Sequence, residues 1–207
     1  MPRRTGSSRR WQARQERDVY VERANREGWR SRAVFKLEQI QAKERLLGRG
    51  SVCVDLGSAP GSWSQLAARV VGPTGLVVAI DLLPMEPIEG VAFLQGDFTK
   101  PETLAALRDL IGGRPVDLVM SDMAPNLSGN RAIDQPRSLA LLDEALLFAR
   151  EVLRAGGDFL AKAFQGEGTD AFTRELKSHF KTVKTVKPSA SRPESREIYL
   201  LARSLGM

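Results

Sequence analysis

From residue 51 onward, short apolar runs alternate with amphipathic stretches, and few architectures accept that pattern. SVCVDL (51–56), LVVAID (76–81), VAFLQ (91–95), VDLVMSD (116–122) and GDFLAKAF (157–164) read as strands. Helices are expected over about 62–71, after a capping box formed by Thr99 and Glu102, over 137–154 and over 169–179. Strands this apolar are covered on both faces, so the pattern predicts an α/β fold with a mostly parallel sheet and helices on either side. Two closing strands, near 180–187 and 195–203, are joined through Pro188 and Pro193 with no helix between them, and should run antiparallel. Ahead of the alternation, SRAVFKLEQIQAKERLL (31–47) reads as an amphipathic helix with Ser31 as N-cap and Lys36 on its apolar side.

The 207 residues suit one core with an appendage. The charge is uneven: residues 1–46 carry thirteen Lys/Arg against six Asp/Glu, leaving eighteen against nineteen in the rest. A basic arm over 1–30, expected to be flexible, is therefore separated from a domain over 31–207. The first fourteen residues, MPRRTGSSRRWQAR, have neither an acid nor an apolar run, so they are not a secretory signal or a membrane span. Their electrostatics suit a polyanion, although an Arg/Ser-rich organellar transit peptide or a solvated tail has the same composition. Trp11, Tyr20 and Trp29, interleaved with the arginines, are able to stack on bases or to pack on the domain. The single Cys53 lies inside an apolar strand and excludes a disulfide framework or a cysteine metal site. His179, at a helix end, is given no catalytic role.

The polar residues at the carboxyl ends of the strands carry the chemistry, because open α/β sheets bind ligands there. Asp55 and Asp81 close the first two strands, Asp97 follows the third, Asp122 closes the fourth, and Lys162 lies in the fifth. A lysine within FLAKAFQG (159–166) requires either a path to water or a partner. The loop DLGSAPGSW (55–63) is a nucleotide-binding type of turn ahead of a helix, yet it lacks the three-glycine pyrophosphate fingerprint, which argues against a dinucleotide. Asp81, twenty residues past Gly61, is placed to grip ribose hydroxyls; Asp97 suits an adenine edge, and Trp63 suits either a cofactor cover or the core. An adenosyl ligand without a pyrophosphate suggests S-adenosylmethionine.

These segments resemble a known family. WRSRAVFKL (29–37), DLGSAPGSWSQ (55–65), SDMAPNLSG (121–129), LAKAFQG (160–166) and SREIYLLA (195–202) are similar, in order, to the motifs of the FtsJ/RlmE-type ribosomal-RNA 2′-O-methyltransferases. The resemblance implies a Rossmann-like methyltransferase sheet of seven strands with the last antiparallel. It implies a catalytic tetrad of Lys36, Asp122, Lys162 and Glu197, with S-adenosylmethionine held by Gly61, Trp63, Asp81, Asp97 and Asp122, and no metal. The implied substrate is the 2′-hydroxyl of a uridine in 23S ribosomal RNA, read in the 50S subunit with help from the basic arm, by a monomer in the cytoplasm.

In such a site Lys162 would act as proton acceptor, which needs a neutral amine, and Lys36 would stabilise the developing alkoxide. The same chemistry on transfer RNA or another RNA is the nearest alternative. A non-catalytic ribosome-assembly or RNA-binding protein is the alternative from a different class.

Overall fold

The computed structural model describes residues 18–126, 128–192 and 194–206. In chain order the elements are α1 (Val19–Glu27), α2 (Val34–Glu44), β1 (Val52–Leu56), α3 (Ser62–Val71), β2 (Leu76–Asp81), β3 (Val91–Gln95) and α4 (Pro101–Ile111). There follow β4 (Val116–Ser121), α5 (Arg131–Val152), β5 (Leu153–Phe164), α6 (Thr169–His179), β6 (Phe180–Val186) and β7 (Glu197–Leu205). One sheet runs in the order β3-β2-β1-β4-β5-β7-β6. Pairings from β3 across to β5 are parallel, and β7 is antiparallel to both β5 and β6. The expected mostly parallel seven-stranded sheet is therefore present. Its switch point lies at β1, flanked by β2 on one side and β4 on the other.

Strand alternation sorts the core into two layers. Val54, Leu56, Ile80, Val119, Phe159 and Leu200 face α4, α5 and α6. The opposite parity, with Cys53, Val77, Met120, Leu160, Tyr199 and Leu201, faces α2 and α3. Continued along each strand, this second parity takes in Asp55, Asp122, Lys162 and Glu197. The charged strand ends therefore share one face of the sheet as well as one rim.

Several boundaries differ from the sequence reading. Helix α4 starts at Pro101, with Lys100 at the cap making no side-chain bond. The Thr99 hydroxyl instead donates to Asp97 (2.7 Å), so the expected capping box does not form. Helix α5 is capped by Asn130, whose side chain accepts from Ala132 N, and it accommodates Pro136 in its second turn at the loss of one backbone bond. Strand β5 starts four residues early because Leu153 pairs with Val116 before a shift in register. Ser31 is not the N-cap of α2; its Oγ accepts from Ala33 N and bonds Ser62 Oγ at 2.8 Å.

Of the arm expected over 1–30, residues 1–17, including Trp11, lie outside the described residues, while residues 18–30 pack on the domain. Ala24 and Trp29 are buried with Val34, Phe35 and Ala190. The Tyr20 ring lies 5.5 Å from that of Phe35 and tilted to it, and the Arg69 guanidinium lies 4.0 Å over the Trp29 ring. Arg32 pairs with Asp18 at the start of α1 and donates to the Ala190 carbonyl, so both tryptophan and tyrosine serve packing here. His179 ends α6 at the rim opposite the charged cluster, and buried Cys53 has its thiol pushed well up by desolvation.

The β1–α3 loop is folded back by two bonds, from Gly57 N and Ser58 N to the Ile80 carbonyl. Gly57 has φ +75°, and a Cβ there would lie 2.0 Å from Met123 Cγ. Both the left-handed backbone and the close approach demand glycine. Gly57→Ala is expected to destabilise the protein by about 2–4 kcal/mol in urea titrations. Adding Met123→Ala should recover only the steric part, and an unchanged midpoint in the single variant would refute the requirement.

Candidate active site

Four elements deliver the charged cluster. Helix α2 presents Lys36 between buried Phe35 and Leu37, the exit of β4 presents Asp122, and the adjacent strands β5 and β7 present Lys162 and Glu197. In the β5–β7 register Lys162 stands opposite Tyr199, two residues from Glu197 on the same face. Lys36 Nζ lies 2.7 Å from Glu197 Oε1 and 4.0 Å from Asp122 Oδ1. Lys162 Nζ lies 3.2 Å from Asp122 Oδ1 and also donates to the Asp122 carbonyl. The four residues of the expected tetrad thus form one connected group, alternating in charge. Lys162 keeps only 9% side-chain exposure, so pairing and not escape to water accounts for it.

Tyr199 is a member of this group that sequence reasoning missed. Its phenol donates to Asp122 Oδ1 (2.6 Å) and sits 3.4 Å from Glu197 Oε1, while its ring lies 5.8 Å from Lys36 Nζ. The signal was present in the spacing Glu197-x-Tyr199, since alternate strand residues share a face. Burial, with the two carboxylates, raises the Tyr199 pKa far above its ordinary value, so the hydroxyl remains a donor. For Glu197, burial acts to raise the pKa, but the charge and hydrogen bond of Lys36, with Lys162 and the Ser191 hydroxyl, bring it below the ordinary range. Its carboxylate is therefore ionised at neutral pH.

Of the residues expected to hold a cofactor, Asp97, Asp81 and Asp122 lie along the same rim in the spatial order that the strand order dictates, with Asp55 between Asp81 and Asp122. Asp81 braces the loop: its Oδ2 accepts from Ala59 N and its Oδ1 from Leu83 N, both at 2.8 Å. Each oxygen retains a lone pair for a further donor. Asp97 sits in a partly exposed turn, where the Thr99 hydroxyl and backbone N–H hold its pKa low. Gly61 starts α3 with φ +106°, and a Cβ there would lie 2.6 Å from Ile88 and 2.7 Å from Met85. Trp63 is buried, with its indole N–H on the Ala33 carbonyl and its ring against Tyr199. It nonetheless borders a cavity of about 60 Å³ shared by Asp55, Gly57, Ser58 and Asp122.

The segment before α2 holds the loop in place. Arg30 donates to the carbonyls of Pro60 (3.0 Å), Glu86 (2.6 Å) and Pro87 (2.8 Å), joining the β1–α3 loop to the one after β2. Beyond Asp81, Leu82 and Leu83 expose apolar side chains. Asp55 is fully buried; Ser64 Oγ donates to its Oδ2 (2.6 Å), while its Oδ1 and the buried Ser58 Oγ have no partner. On the far side of the tetrad, a cleft of about 370 Å³ is bordered by Arg32, Lys36, Arg192, Ser195 and Glu197. Among the described residues, no group of three His, Cys, Asp or Glu side chains is arranged to hold a metal, and no helix is long and apolar enough to cross a membrane.

Known proteins resemble this chain in sequence and in fold. The chain is 54% identical over 204 residues to the ribosomal RNA large subunit methyltransferase E of Alkalilimnicola ehrlichii, covering 99% of this chain and 98% of that one. A crystal structure of a Plasmodium falciparum protein assigned as a ribosomal RNA methyltransferase superposes with a TM-score of 0.77 at 29% identity, over 86% of this chain and 98% of the other. A Clostridium thermocellum structure shares the fold at a TM-score of 0.54 and 18% identity, over 82% and 97% of the two chains. The FtsJ-like methyltransferase model matches residues 29–205, which span the β1–α3 loop and all four paired charges, and the chain belongs to that family of enzymes.

Proposed function

We propose that the protein transfers a methyl group from S-adenosylmethionine to a ribose 2′-hydroxyl of large-subunit ribosomal RNA, at a uridine within the assembled 50S subunit. The observation that carries this reading is the Lys36, Asp122, Lys162 and Glu197 cluster, set between a loop suited to the donor and a cleft edged by arginines. The near-full-length likeness to a large-subunit methyltransferase favours ribosomal RNA over transfer RNA.

The residues on the donor side fit S-adenosylmethionine. Two buried polar atoms, Asp55 Oδ1 and Ser58 Oγ, lack a partner, and a side chain at Gly57 or Gly61 would be obstructed. Gly61, Trp63, Asp81, Asp97 and Asp122 would hold the donor, with the exposed Leu82 and Leu83 offering an apolar wall beside Asp81. Bound S-adenosylmethionine supplies an electrophilic methyl on a sulfonium that departs as a neutral thioether.

The chain's contribution is position and charge. As its neutral amine, Lys162 takes the proton of the 2′-hydroxyl while the oxygen–methyl bond forms, and Asp122 receives the ammonium that results. Lys36, held by Glu197, faces the charge that develops on that oxygen. Asp122 and Tyr199 hold Lys162 in place, so the group acts as a coupled unit. Arg32 and Arg192 border the cleft where the phosphates flanking the target ribose would lie, and the basic composition of residues 1–17 suits the same polyanion.

Lys162→Ala should lower methyl incorporation into 50S particles by at least about 100-fold while leaving S-adenosylhomocysteine affinity within about threefold by calorimetry. Offering free 23S RNA, 50S particles and transfer RNA in the same radiolabel assay tests the substrate. Normal turnover by the variant would sink the role of Lys162, and preference for transfer RNA would sink the ribosomal assignment.

Tyr199→Phe removes one hydrogen bond to a carboxylate. We expect a stability loss of about 1.5–3 kcal/mol and a fall in kcat of about tenfold with KM little changed. A change confined to KM would show that Tyr199 serves substrate binding instead.

A further inference from the structure

The rim opposite the tetrad, where the parallel strands begin, holds a second polar cleft, of about 450 Å³. Strand β4 separates Asp117 near its start from Asp122 at its exit, about 17 Å at the usual rise, so a ribose bound at the tetrad does not reach this cleft. One arrangement occurs in it twice. Asp117 accepts from the backbone N–H of Val52 (2.8 Å) on one oxygen and from Arg154 Nε (2.7 Å) on the other. Asp158 accepts from the backbone N–H of Ser204 and from Arg203 Nε, both at 3.0 Å. Each carboxylate is consumed in pinning an arginine and lies deeper than its partner, at 25% against 47% side-chain exposure in the first pair and 10% against 33% in the second. The cations therefore face outward. Arg154 Nη1 and Arg203 Nη1 donate to the carbonyls of Ala155 and Glu44, while both Nη2 groups are without a partner among the described residues. Arg45 adds a third guanidinium, exposed and likewise without a partner among the described residues.

The backbone points the same way. Arg45 (φ +51°) and Ser204 (φ +61°) are, among the described residues, the two non-glycine residues in the left-handed region, and both border this cleft. Arg45 caps the C-terminus of α2, a place where glycine costs least. An arginine kept there at a conformational cost, with no side-chain contact to offset it, has its use outside the chain.

We propose that Arg45, Arg154 and Arg203 bind phosphates of a ribosomal RNA segment other than the one that carries the target ribose. This rests on the ribosomal reading above and adds a second contact surface, on the rim away from the chemistry. Outward charge and unused N–H donors on a planar fork suit phosphate oxygens. RNA fits better than an acidic protein, because the cleft offers no exposed apolar side chain for the core of a protein interface; Leu46, which borders it, is buried. Two separated contacts on one particle would also favour the assembled subunit over a short RNA.

The test measures the affinity of the full-length protein for 50S particles from cells lacking it, by filter binding over a range of salt, beside kcat at saturating particles. Arg45→Gly removes a cation and suits the left-handed backbone, so its urea midpoint should equal or exceed that of wild type. Its affinity should fall about 3–10-fold and its salt slope by about 1, with kcat within about twofold and S-adenosylhomocysteine affinity unchanged. The triple variant Arg45→Gly, Arg154→Gln, Arg203→Gln should lose at least about 30-fold, with a slope lower by about 3. The partner is identified by a photo-cross-linker attached through Thr182→Cys at the edge of the cleft, since the native Cys53 is fully buried. It should attach to 23S RNA.

Unchanged affinity and salt slope in Arg45→Gly would overturn the proposal and leave methyl transfer at the tetrad standing. Cross-linking to a ribosomal protein in place of RNA, or to neither, would overturn it as well. Absence of methyl incorporation into these particles by wild type would overturn the ribosomal reading and the proposal with it. Arg45→Gly decides the matter even if the triple variant fails to fold.

Discussion

Two lysines and two carboxylates are kept largely out of water at one rim of the sheet, and they persist there because each faces an opposite charge. An isolated buried ion would be unsustainable, and a single pair would only offset its own desolvation. Here the pairs are linked through Asp122, whose carboxylate receives Lys162 and the Tyr199 phenol and lies within reach of Lys36. Removing one member exposes the others to unpaired burial. The cluster is therefore held in place, which suits the proposed role beside an oxygen and a methyl carbon that must meet in line.

The sheet sets where these charges meet. Parallel strands bring all their carboxyl ends to one rim, while the reversal at β1 opens a gap between neighbouring loops. Gly57 and Gly61 let the first loop pass close to Met123 and Ile88, and Arg30 ties that loop to the next. Asp122 lines the small cavity, and its tetrad partners Lys36 and Glu197 border the arginine-edged cleft, the proposed donor and acceptor sides. A methyl group would have only a short distance to cross.

Much of this is legible in the chain. The α/β class follows from the alternation of apolar runs, and the rim residues follow from where each run ends. Lys36 is marked by its helical spacing and Lys162 by its intrusion into an apolar strand. Tyr199 is marked only by sharing a strand face with Glu197, because a tyrosine in a closing strand otherwise has the pattern of ordinary core, and its hydroxyl gains meaning only when β7 pairs with β5. Charge alone groups residues 18–30 with the arm, and charge says nothing of the contacts that Ala24 and Trp29 make with Ala190, more than 150 positions away.

By itself, then, the sequence determined the class of fold, the parity of each strand and the inventory of charged ends, since these depend on local periodicity and on which side chains tolerate burial. Only the tertiary structure decided which charges pair, that Glu197 on β7 meets Lys36 on α2, and that Asp55 keeps one oxygen without a donor. Those outcomes depend on distances between segments far apart in the chain. Electrostatic energies at such distances change steeply within a few ångströms, and no local pattern encodes them.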